Sequence, residues 1–127
     1  MTPIDVTPIE TTELQATAQL DEARTTINVS FRGNADARAI APVDAFLVSV
    51  HEAAARLGVQ EVVVDFHAFD FMNSSCFKAF VTWIGRIEEL APPRQYKIRF
   101  LQDSGKHWQR RSLDALRSFA AELVSIQ

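Results

Sequence analysis

Residues 62–90 read VVVDFHAFDFMNSSCFKAFVTWIGRIEEL, an apolar run, a short connection, a polar Asn73-Ser74-Ser75 turn, and then apolar residues at Phe77, Phe80, Val81, Ile84 and Ile87. Successive β-branched side chains fit a pleated surface, so residues 61–66 are predicted to be a strand. The near-continuous apolarity of that run suits a strand covered on both faces in a mixed or parallel sheet, which makes it the candidate for the central strand. The three- and four-residue spacing after Ser74 is one stripe of an amphipathic helix, which Ala91-Pro92-Pro93 must end. A side chain at the exposed start of such a helix sits beside unpaired backbone N–H groups and the positive end of the helix dipole.

Working outward, Glu13 to Leu20 and Thr25 to Phe31 alternate apolar and polar residues, the period of a strand, with a hairpin turn expected at Asp21 to Arg24. The first 12 residues carry two prolines and no sustained period, and are expected to be a frayed lead-in or a short edge strand. Val43, Phe46, Leu47, Val50, Ala54 and Leu57 form a helical stripe that Gly58 can stop. Downstream, Tyr96 to Leu101 alternates again, Leu113, Leu116, Ala120 and Leu123 mark a last helix beginning near His107, and 123–126 can close the chain as a strand. The order is β-β-α-β-α-β-α(-β), with no internal repeat. Strands separated by helices require right-handed crossovers, so the expected class is α/β: a mixed β-sheet with helices packed against at least one face.

A chain of 127 residues suits one domain, residues 1–127, and 47% hydrophobic against 23% charged residues is enough to fill its core. Cys76 is the single cysteine and cannot form an intramolecular disulfide, and the acidic, hydroxyl-rich start lacks the basic-then-apolar pattern of a signal peptide, so a reducing cytoplasm is expected. Charged residues interrupt every apolar run before it reaches the roughly 18 residues of a membrane span, and no membrane insertion is expected. The net charge is -3, yet Arg94, Lys97, Arg99, Lys106, Arg110, Arg111 and Arg117 gather late in the chain, around Tyr96 and Trp108. These charges alternate with buried strand positions or decorate a helix, so a nucleic-acid partner is not expected.

Several catalytic readings are weighed against plainer ones. Asp65, His67, Asp70 and Ser74 are the residue types of a hydrolytic triad, but they lie close in the chain and no Gly-x-Ser-x-Gly elbow is present. His51, His67, His107 and Cys76 lack the paired spacing of a metal site. Asp103-Ser104-Gly105-Lys106 lacks the framework of a phosphate-binding loop and reads as a turn with a helix cap. Cys76, near a helix start, admits a thiol-based redox sensor, against the plainer role of a small packing residue. Asn73-Ser74-Ser75 by itself reads as an N-cap with hydroxyl neighbours.

The strand, the Phe71-Met72 pair, the Asn73-Ser74-Ser75-Cys76 junction and the following helix together resemble the STAS family, the anti-sigma-factor-antagonist-like regulators of bacteria. Family members carry Asp-Ser-Ser-Gly or Asp-Ser-Thr-Gly at this junction. Arg32-Gly33-Asn34-Ala35-Asp36 resembles the family's Gly-x-x-Asp turn after the second strand, and the likeness extends from about Thr25 to the end. The resemblance implies a protein without catalytic activity or cofactor, acting as a phosphorylation-controlled binding module in a partner-switching pathway. Its partners would be a serine kinase that doubles as an anti-sigma-like protein, and a PP2C-like phosphatase. Ser74 would be the phosphoacceptor, and Arg32, Asp36, Asn73, Ser75, Cys76, Phe77 and Lys78 would border the partner surface. Asn73 stands where the family has Asp, and can cap the helix but brings no carboxylate; Cys76 stands where the family has Gly, and adds a Cβ and a sulfur. A scaffold of the same fold that binds constitutively, without phosphorylation, is the alternative these two differences suggest.

Overall fold

A computed structural model describes residues 2–127. It contains a seven-stranded sheet: β1 (Thr2–Pro3), β2 (Ile9–Glu10), β3 (Leu14–Leu20), β4 (Thr26–Ala35), β5 (Glu61–Met72), β6 (Lys97–Leu101) and β7 (Val124–Ile126). The helices α1 (Ile40–Leu57), α2 (Ser74–Glu88) and α3 (His107–Phe119) fill the connections β4–β5, β5–β6 and β6–β7. β3 and β4 form an antiparallel hairpin, whereas β4, β5, β6 and β7 lie side by side in parallel. Three right-handed crossovers that all step the same way place their helices on one face of the sheet, and α1 packs on α2, and α2 on α3.

The alternation predicted for the strands is what builds that face. Ile27, Val29 and Phe31 of β4, Val62, Val64 and Phe66 of β5, and Ile98 and Phe100 of β6 are buried beneath the helices. Phe31 lies at the middle, with ring centroids 5.3 to 5.9 Å from those of Phe46, Phe66, Phe69 and Phe80. The opposite face carries Gln15, Thr17, Asn28, Ser30, Glu61, Asp65, Lys97 and Arg99, and among the described residues no helix lies on it. β5 is therefore central but covered by helices on one side only; on the other, Val63 is buried between its neighbours Asn28 and Arg99.

The first dozen residues supply two short edge strands, both antiparallel to β3, with Val6 and Ile9 buried. Gly58 ends α1 in the left-handed conformation, φ 67°, as an unbranched residue with no Cβ can.

Two strand ends differ from the sequence reading. β4 does not stop at Phe31 before a turn at Gly33; it runs on to Ala35, and the turn begins at Asp36. β5 does not stop at Phe66; it continues through His67–Met72, because two register shifts against β4 each admit an extra β5 residue. Such bulges break the two-residue period, so Phe66 and Phe69, three apart, are both buried.

Carbonyls around the two bulges are met from α3 and the residue before it. Gln109, fully buried, donates from Nε2 to Phe66 O (2.6 Å) and Phe69 O (2.8 Å), while its Oε1 accepts from Asp103 N–H (2.8 Å). Lys106 Nζ donates to His67 O at 2.5 Å.

Candidate functional site

The β4 and β5 extensions end together. Asn73 N–H donates to Ala35 O (2.9 Å), so the turn that opens α2 and the turn that follows β4 are pinned to each other. Asn73, in extended backbone, caps α2 by accepting the Cys76 N–H on its side-chain oxygen at 2.8 Å, and Phe77 N–H donates to Asn73 O to start the helical ladder. The Ser74 and Ser75 N–H groups are first-turn donors without an intrahelical acceptor. Ser74, the first residue of α2, is exposed, and among the described residues its hydroxyl has no partner. Ser75 and Phe77 are half-buried and Lys78 is exposed.

Cys76 points inward. Its side chain is fully buried, with Sγ 3.8 Å from Asp36 O, and burial followed by the nearby Asp36 carboxylate pushes the thiol pKa up. A thiolate is therefore disfavoured, and whatever meets this turn meets Ser74, Ser75 and Lys78 rather than the sulfur. Both properties oppose the redox-sensor reading.

Asp36 borders the turn. It accepts from Arg38 N–H (2.9 Å) and pairs with the Arg38 guanidinium (2.7 Å), which holds its carboxyl below the usual range and keeps it ionised. Arg38, which sequence reasoning passed over, also reaches Glu13 at 3.7 Å and thereby ties the hairpin to the site. Arg32 is not brought to the turn: it is exposed within β4, opposite Ala68 of β5 and four residues before Asp36.

The remaining candidates are engaged elsewhere. His67 Nδ1 lies 2.8 Å from Asp65, and Lys106 holds Asp103 (3.2 Å) and Asp70 (3.5 Å), so Asp65, His67 and Asp70 are not arranged as a triad on Ser74. Asp103 accepts from Gly105 N–H at 2.9 Å, closing the turn before α3. Of the late basic residues, Arg99 pairs with Glu61 and Arg117 with Asp114. Among the described residues no cluster of His, Cys, Asp and Glu is arranged to hold a metal, and no helix is long and apolar enough to cross a membrane.

Because the cap is a single side-chain oxygen, Asn73→Ala is expected to cost about 1 kcal/mol in urea denaturation, whereas Asn73→Asp should be at least as stable as the native protein, its carboxylate facing the positive helix end.

No sequence family matches the chain, and no curated protein does. A crystal structure of an anti-sigma factor antagonist from Mycobacterium paratuberculosis is similar, with a TM-score of 0.57 at 14% identity, over 87% of this chain and 85% of that one. At that identity the likeness is one of fold. The element order, the mixed sheet with three helices packed on it, and this structural match establish that the chain has the STAS fold, that of anti-sigma factor antagonists.

Proposed function

We propose that this protein is a non-enzymatic, bacterial protein-interaction module whose binding is switched by phosphorylation of Ser74, with a serine kinase of anti-sigma-like type and a PP2C-like phosphatase as partners. The observation that carries the reading is the exposed, unpartnered Ser74 hydroxyl at the first position of a 15-residue helix, in a fold shared with an anti-sigma factor antagonist. A phosphoryl group there adds about 1.5 to 2 negative charges beside first-turn N–H donors, which accommodate it without unfolding the domain. The charge changes the surface a partner must meet. Apolar residues are exposed nearby in the chain: among the described residues Phe71, three positions before Ser74, and Ile40, which opens the helix that follows the Asp36 turn, are both exposed. Asn73 serves the cap fully as an amide, so the missing carboxylate bears on the kinase reaction rather than on the fold.

The test is mass spectrometry of protein purified from its native cells, together with affinity capture using Ser74→Ala and Ser74→Asp baits. One phosphoryl group mapped to Ser74, and a partner retained by the alanine bait and lost from the aspartate bait, are expected. Unmodified Ser74 with identical partners on both baits would overturn the switch and leave the constitutive scaffold.

A further inference from the structure

At the far end of α2 from Ser74, a buried phenol joins two helices. Tyr96, fully buried just before β6, has its hydroxyl oxygen 2.8 Å from Trp83 Nε1 of α2 and 2.6 Å from His51 Nδ1 of α1. The hydrogen inventory favours one arrangement, because a phenolic hydrogen directed anywhere else would be buried without an acceptor. An indole N–H can only donate, so the phenol oxygen accepts from Trp83, and the phenol's own hydrogen is directed to His51 Nδ1. That nitrogen must accept, which makes His51 a neutral imidazole with its proton on Nε2.

We propose that His51, Tyr96 and Trp83 form a proton-operated latch, which ties α1 to α2 across the start of β6 while His51 is neutral and loosens when His51 takes up a proton.

Protonation converts Nδ1 into a donor, which can hold the phenol only through the oxygen's second lone pair. The phenolic hydrogen must then turn away, and among the described residues Tyr96 has no acceptor but His51, so a buried O–H is left unmet. The surroundings favour the latched state: burial and the Arg86 charge on α2 push the His51 pKa below its ordinary value, against the weaker opposing pull of Glu52 on α1 and Glu89 just after α2. Burial pushes the Tyr96 phenol far up, so it does not surrender its proton instead. The sign follows. The unfolded chain takes up the His51 proton at the ordinary value of about 6.5 and the folded chain only at lower pH, so this contribution to stability is fully present above that value and is lost as pH falls toward the folded one.

The experiment is an NMR titration of the full chain from about pH 7.5 to about 5.5, following the assigned His51 ring and the Trp83 indole N–H, with urea midpoints measured in parallel. The latch predicts a His51 midpoint below the ordinary one, moved upward in Tyr96→Phe. Hydrogen exchange at Trp83 Nε1 should accelerate at that same midpoint. The fall in urea midpoint on acidification should be larger for the native chain than for His51→Gln, whose amide cannot take up the proton. A His51 midpoint at or above the ordinary value, Trp83 exchange that ignores the His51 titration, or equal acid sensitivity of native protein and His51→Gln would each overturn it. If Tyr96→Phe does not fold, the native titration and His51→Gln still decide.

Discussion

Gly33→Ala should destabilise the protein by about 3 kcal/mol or more in urea denaturation, and Gly33→Val by more still. Two independent causes act at this position. Gly33 adopts φ 95°, which an L side chain rarely adopts, and a Cβ built there runs into the carbonyl oxygen and carbon of Glu13, the residue before β3. That carbonyl cannot simply move, because it accepts the Asn34 N–H at 2.7 Å and its residue also contacts Arg38. Relief would therefore have to separate β3 from β4 or displace Asp36, which sits against the α2 turn. The control is Gly85→Ala in α2, where an added Cβ meets nothing within 4 Å and the gain in helix propensity is up to about 1 kcal/mol. A loss at Gly33→Ala no larger than about 0.5 kcal/mol would mean that β3 and β4 do not approach as described.

Gly33 also shows where sequence reading ends. A glycine followed by Asn, Ala and Asp has turn chemistry, and nothing local distinguishes a turn glycine from one required by a strand 20 residues away in the chain. The helices were readable because their apolar stripes are regular: Val43, Phe46, Leu47, Val50 and Ala54 are all buried, as are Phe80, Ile84 and Ile87. The strands were readable only as far as their alternation held. In His67–Met72 the bulges shift the period, and the extension of β5 disappears from the pattern although the chain stays paired. At the site, Asn73 was legible as a cap because a polar residue before an apolar stripe has few other roles, and the place of Ser74 at the first helical position followed from it. The burial of Cys76 was not, since the first turn of a helix has inward and outward positions that sequence alone does not assign without the partner surface; here that surface is the Asp36 turn. The Tyr96 pairings join residues 45 and 13 positions apart and have no local signature at all.

Gln109 left a signal that is easy to pass over: it lies four residues before Leu113 and seven before Leu116, on the apolar stripe of α3, where an amide has no reason to be unless it is fully bonded. Replacing it by methionine keeps the volume but removes all three bonds, leaving the Phe66 and Phe69 carbonyls and the Asp103 N–H unmet, so a loss of about 2 to 4 kcal/mol is expected in urea denaturation. Gln109→Glu discriminates between lost bonds and lost packing. Its carboxylate can still accept from Asp103 N–H, but when ionised it has no hydrogen to offer and turns negative charge toward two carbonyl oxygens. At neutral pH it should therefore be less stable than Gln109→Met despite being closer in shape to the native residue. The neutral acid regains one donor, so the folded state of this variant raises the carboxyl pKa above its unfolded value of about 4.3. The stabilising protonated form is then fully present below that value and lost as pH rises through the folded one, so the gap between the two variants should narrow on acidification. A Gln109→Met protein as stable as the native one would mean that the bulge carbonyls find other donors, and that α3 does not fix the strand end from which Phe71 and the Ser74 turn are projected.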